Sequence, residues 1–170
     1  MAAHAKGPLT LRLWETLPVN ATDPASATKA AALIGRSRPN QFDGQFGTLG
    51  LAETLDWPFF DRAPARSRGR PRIMNEYGKL AIVAARGGWH VQGHVIDNSA
   101  VTDLLDTWER VNKNQGMDHL RGTMSHVYDI SSTNIARAKS LGMTLGVHGA
   151  AMQAAARMPL RKIADSSTRR

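Results

Sequence analysis

The sequence has no cysteine. That absence excludes disulfides, a thiolate zinc site and a cysteine nucleophile. Any metal would need His, Asp, Glu or a lysine-derived carboxylate oxygen, a donor set that suits zinc, iron or manganese. No apolar run approaches the ~18 residues of a transmembrane helix. The opening stretch, MAAHAKGPLTLRLW, lacks the apolar core of a secretory signal peptide. A cytoplasmic address with no membrane partner is the expectation. No Gly-x-Gly-x-x-Gly turn follows a strand, and Ser125, Ser131 and Ser132 lack a nucleophile-elbow pattern.

What remains is ordinary globular material. The 170 residues are 42% hydrophobic and 21% charged, enough for one domain with a real core. The net charge of +8 gathers largely in two places, RAPARSRGRPR (62–72) and the tail from Arg157 to Arg170. The basic character therefore belongs to two patches. Residues 1–156 read as one β/α domain with a Pro/Arg-rich loop at 56–72, and 157–170 read as a basic, disordered tail.

The chain alternates two periodicities. LTLRLWE (9–15) has the period-2 pattern of a strand, and Asp23-Pro24 caps a helix that stops at Gly35. Residues 37–44 are turn chemistry, and QFGTLGLAETL (45–55) is a glycine-interrupted strand. Residues 73–86 have helical spacing and end at Gly87-Gly88. A strand at 89–96 leads to an amphipathic helix that starts at Ser99 and stops at Gly116, with Leu104, Leu105, Trp108 and Val111 on one face. A strand ending near His126 follows, then a helix capped by Ser131 and closed by Gly142. A strand at 143–148 and a helix at 149–158 complete the series. About five strands alternating with four or five helices argue an α/β fold, a parallel sheet with right-handed crossovers. Without the glycine-rich phosphate turn, the alternative to a doubly wound sheet is part of a (β/α) barrel, whose complete form takes ~250 residues.

The organising stretch is 88–127. His94 and His126 lie one βα unit apart, at matching ends of two strands. In parallel neighbours both imidazoles emerge at the carboxyl edge of the sheet, where ligands collect in α/β folds. They are candidate metal ligands; the plainer reading is two unrelated loop histidines. Glu53, one strand earlier, is a candidate third ligand or a solvent-facing glutamate. Arg68-Gly69-Arg70-Pro71 has the core of an AT-hook, in which arginines enter the minor groove of A·T-rich DNA. A solvated Pro/Arg connector has the same composition, and nucleic acid is the minor alternative for the chain's partner.

The motifs GWHVQGH (88–94), LLDTWERV (104–111), RGTMSH (121–126) and IARAKSLGM (135–143) occur in the order shown by amidohydrolase family 3 of the metal-dependent amidohydrolase superfamily. TLGLAETLDWPFFDR (48–62) resembles that family's "lGxGE" strand and the loop after it. The chain from about 47 to 152 thus resembles strands three to seven of the family's barrel. The resemblance implies a partial (β/α)8 barrel with a divalent metal, zinc or else iron or manganese, at the carboxyl rim. His94 would be the ligand of the fifth strand and His126 of the sixth. Glu53 would take the fourth-strand position of a carboxylated lysine. The implied activity is hydrolysis of a non-peptide C–N bond, metal-activated water attacking an amide-like carbon of a small substrate, with Arg121 either supporting a metal ligand from behind or facing the substrate.

Several family features are absent. The first-strand His-x-His pair is missing, with only His4 early in the chain, and no aspartate stands at an eighth-strand end. VIDN (95–98) replaces the family's "xxGD", and His148 falls where relatives carry glutamine. The expectation is an incomplete barrel from a truncated or split frame, or a degenerate remnant. It would be completed by a missing segment or by forming a homo-oligomer.

Overall fold

The computed structural model describes residues 10–20, 23–52, 70–147 and 149. Glu53, Arg68, Gly69, His148, most of the 56–72 loop, the helix expected after Gly149 and the basic tail lie outside the described residues.

The described chain runs β1 (Leu13–Leu17), α1 (Pro24–Arg36), β2 (Gln41–Phe42), β3 (Phe46–Leu51), α2 (Arg70–Arg86), β4 (His90–His94), α3 (Asn98–Gln115), a 3-10 turn (Asp118–Leu120), β5 (Thr123–Val127), α4 (Ser132–Ser140) and β6 (Thr144–Val147). The sheet order is β1-β3-β4-β5-β6, and every neighbouring pair on that path is parallel. This is an α/β fold in which strands alternate with helices around a parallel sheet. Spatial order follows chain order throughout, so the described strands contain no point at which the winding reverses. β2 is a short antiparallel addition. It pairs with the start of β3, at Gly47 and Thr48, while β4 takes the later residues Gly50 and Leu51.

Local chemistry sets the helix ends. Asp23 caps α1, its carboxylate accepting from the amides of Ala25 and Ser26, while the Ser26 hydroxyl accepts from the Asp23 amide. Asp97 caps α3 by accepting from the Ala100 amide, two residues ahead of Ser99, because its carboxylate is the stronger acceptor. Ser131 caps α4 as its sequence predicts. α2 starts at Arg70 rather than near 73; Pro71 in the first turn has no amide that a partner must satisfy. β1 lies at 13–17 rather than 9–15, because pairing of Leu13 with Phe46 through Leu17 with Leu51 fixes its extent.

Each helix packs on the next, α1 on α2, α2 on α3 and α3 on α4. Right-handed crossovers in one direction put them all on one side of the sheet. Leu51, Val91 and Met124 are fully buried beneath that layer, with Leu80, Leu104 and Leu105 from the helices. Inside the core, Trp108 Nε1 donates to the Tyr77 hydroxyl at 2.6 Å, tying α3 to α2. No helix among the described residues is long and apolar enough to cross a membrane.

Candidate functional site

Strand alternation assigns the two faces of the sheet. Val91, Met124 and Leu145 occupy one face, under the helices. The other face carries His90, Gln92 and His94 from β4, Thr123 and Ser125 from β5, and Thr144 and Gly146 from β6. In register, Gln92 stands beside Thr123, and His94 beside Ser125. Gln92 Nε2 donates to Ser125 Oγ at 2.7 Å, and the ring Nδ1 of His90 is 3.3 Å from the Leu120 carbonyl oxygen. A carbonyl only accepts, so that nitrogen carries the proton.

His126 breaks the alternation. Counting on from Met124 and Ser125 puts it on the helix side. Yet Ser125 pairs with Gly146 and Val127 with the next residue, Val147, so His126 is the extra residue of a β-bulge. Its φ is +64°, in the left-handed region that costs a non-glycine residue roughly 1–2 kcal/mol. The bulge returns Val127 to the buried face and turns the imidazole toward His94. The two ring centroids are 4.8 Å apart with planes at 56°.

Two imidazoles that share a tetrahedral metal at ~2.0–2.1 Å from nitrogen have ring centroids roughly 5 Å apart. The pair fits that requirement. His94 is 6% exposed, and its Nδ1 is buried with no hydrogen-bond partner among the described residues. The same residues hold no group of three or more His, Asp or Glu side chains arranged for a metal. Glu53, the expected third ligand, lies outside them. Arg121 does not join the histidines. It is exposed, at φ +50°, before the amino end of β5, roughly 16 Å along the strand from His126 at ~3.3 Å per residue. Of the AT-hook tetrapeptide, Arg70 and Pro71 belong to the first turn of α2.

The rim around the histidines is cross-tied. The amides of Tyr128 and Asp129 both donate to the Ile96 carbonyl, joining the loops after β4 and β5. Asn98 Oδ1 accepts from the Ser131 amide at 2.8 Å and from Asn134 Nδ2 at 2.9 Å, joining the starts of α3 and α4. Farther along, Arg137 bridges Glu109 and Asp106 of α3. The hydrogen bond from Arg137 holds the Glu109 carboxyl below its ordinary range against a smaller opposing effect of burial, and the same bond raises Arg137 further.

Gln92 and Ser125 were not singled out as a pair by sequence reasoning. Their signal was present as polar residues at every second position, His90-Gln92-His94 and Thr123-Ser125, alternating with Val91, Gly93 and Met124. No family model, curated protein or solved structure matches the chain.

Proposed function

We propose that this chain belongs to a metal-dependent hydrolase of non-peptide carbon–nitrogen bonds, with its sheet an arc of a (β/α)8 barrel similar to that of amidohydrolase family 3. The observation that carries this reading is the His94–His126 pair, brought together at the carboxyl ends of adjacent parallel strands by a strained bulge. Strain of that kind persists where the surrounding structure fixes it and concentrates at functional sites. Strand order that follows chain order, with all helices on one side, is the winding of a barrel and supports the arc.

His94 and His126 would hold the divalent ion, zinc or else iron or manganese, with Glu53 as third ligand. The ion would supply Lewis acidity and an activated water for attack on an amide-like carbon. The chain's own residues do the positioning. The cross-tied loops after β4 and β5 fix the spacing of the imidazoles. The polar face beneath them accepts a small hydrogen-bonding substrate. The outer edges of β1 and β6 are where a missing barrel segment or a second copy would add strands.

The test is the metal content of the purified chain beside His94→Ala and His126→Ala. Near-stoichiometric metal that is lost in both variants is the expected result. A chain folded by circular dichroism yet without metal, or one whose metal survives both substitutions, overturns the reading.

A further inference from the structure

Glu76 of α2 is 6% exposed, a carboxylate set in the helix layer on the far side of the sheet from His94 and His126. Burying a carboxylate is costly unless its oxygens are matched. Oε1 accepts from Lys79 Nζ at 2.8 Å, and Oε2 makes no hydrogen bond among the described residues. Lys79 is a weak counterpart. Its side chain is 61% exposed, and a pair with so solvated a cation contributes little. Oε2 is not fully enclosed, so it faces open space. That space is an open-sided cavity of about 260 Å³ between α1 and α2. It exists because α1 brings Ala27 and Ala31, one turn apart, to Leu80 and Val83 of α2, and two methyl groups are too short to fill the groove.

A second acceptor lines the same cavity. The Thr28 hydroxyl donates its one proton to the Pro24 carbonyl at 2.8 Å, so toward a ligand it can only accept. Apolar walls, a buried carboxylate oxygen and a hydroxyl acceptor ask for a ligand with a hydrocarbon body and a cationic donor. We infer that the groove between α1 and α2 binds a small hydrophobic primary ammonium. The ammonium donates to Glu76 Oε2 and to Thr28 Oγ1, and the hydrocarbon lies on Ala27, Ala31, Leu80 and Val83. The cavity is smaller than the ~300–1,000 Å³ of pockets for drug-sized ligands, which sets the scale of the body. An alcohol of the same length offers one donor and no charge, whereas the ammonium offers three donors and the charge that Glu76 lacks beside it. Lys79 is the competing cation. Its exposed stem lets it swing into water when a ligand takes the carboxylate. The inference is independent of the C–N hydrolase reading.

The test is a 15N NMR titration of the full chain with n-hexylammonium chloride and with n-hexanol, at neutral pH where the amine is charged. EDTA is present so that no metal at the histidine pair can take the amine. The expected result is that hexylammonium shifts the amide signals of Ala27, Ala31, Leu80 and Val83 and binds roughly 10-fold or more tighter than hexanol. Glu76→Gln keeps the shape and is expected to bring the two compounds level. Lys79→Met is expected to tighten hexylammonium by roughly 2- to 5-fold, because the competing cation is gone. No response to millimolar hexylammonium, equal binding of the two compounds, or shifts confined to residues outside α1 and α2 overturns the inference. So does a preference that survives Glu76→Gln, or weaker binding by Lys79→Met. The comparison of the two compounds needs no variant, and a metal-free titration stands or falls apart from the metal assay.

Discussion

Replacing His126 by glycine should leave a more stable protein than replacing it by alanine. Both variants lose the imidazole, so their difference isolates the backbone. At φ +64° an alanine pays the left-handed penalty, about 1–2 kcal/mol. Glycine avoids that penalty but gains freedom in the unfolded chain worth about 0.5–1 kcal/mol. The net advantage of glycine is about 0.5–1 kcal/mol, or ~1–4 °C in Tm for a chain of this size. Thr123, in the same strand but in extended backbone, reverses the sign: there Thr123→Gly should be less stable than Thr123→Ala by about 0.5–1 kcal/mol. Thermal unfolding of the four variants in EDTA reads both differences. An alanine at 126 as stable as the glycine would refute the strained bulge, and with it the argument that places the imidazole beside His94.

Trp108→Phe removes a buried 2.6 Å hydrogen bond and should cost about 1–3 kcal/mol, read as a lower urea midpoint; an unchanged midpoint would contradict it. Gly142→Ala meets both a φ of +65° and the Asp118 carbonyl, whereas Gly116→Ala at φ +64° meets nothing within 4 Å, so the first should lower Tm further. Glu109 has its carboxyl pKa lowered in the fold, so its stabilisation is present at neutral pH and is lost as pH falls through the carboxylate range. Wild type should therefore be slightly more stable than Glu109→Gln at neutral pH and no more stable in acid; a gap that widens in acid would reverse the assigned sign.

Helix ends were the most legible part of the sequence, since a cap is decided within four residues. Asp23-Pro24, Ser131 and Gly142 all mark real boundaries, whereas α3 is capped by Asp97 rather than starting at Ser99, α1 runs through Gly35 to Arg36, and α2 starts at Arg70 rather than near 73. Parallel strands at the right places followed from alternation. The extent of β1 and the existence of β2 did not, because both depend on β3 as partner. The site was half legible. Spacing put His94 and His126 at matching strand ends, but period-2 counting sends His126 to the wrong face. Only the pairing of β5 with β6, a contact between segments some twenty residues apart, creates the bulge that corrects it. Arg121 looked close to His126 in sequence, yet it precedes β5 and His126 lies near the far end of that strand.

Strand order that follows chain order also bears on how the molecule is made. In a sheet whose winding reverses, early strands wait with an open edge for a segment that arrives much later. Here each parallel strand docks beside one already placed, and each helix covers the crossover just completed. Synthesis at ~5–20 residues per second delivers one such βα unit every few seconds, far slower than the unit can pack. Assembly can therefore proceed vectorially from the ribosome. On the growing side the exposed edge is always the one next to be covered, whereas the outer edge of β1 stays open from the first strand onward.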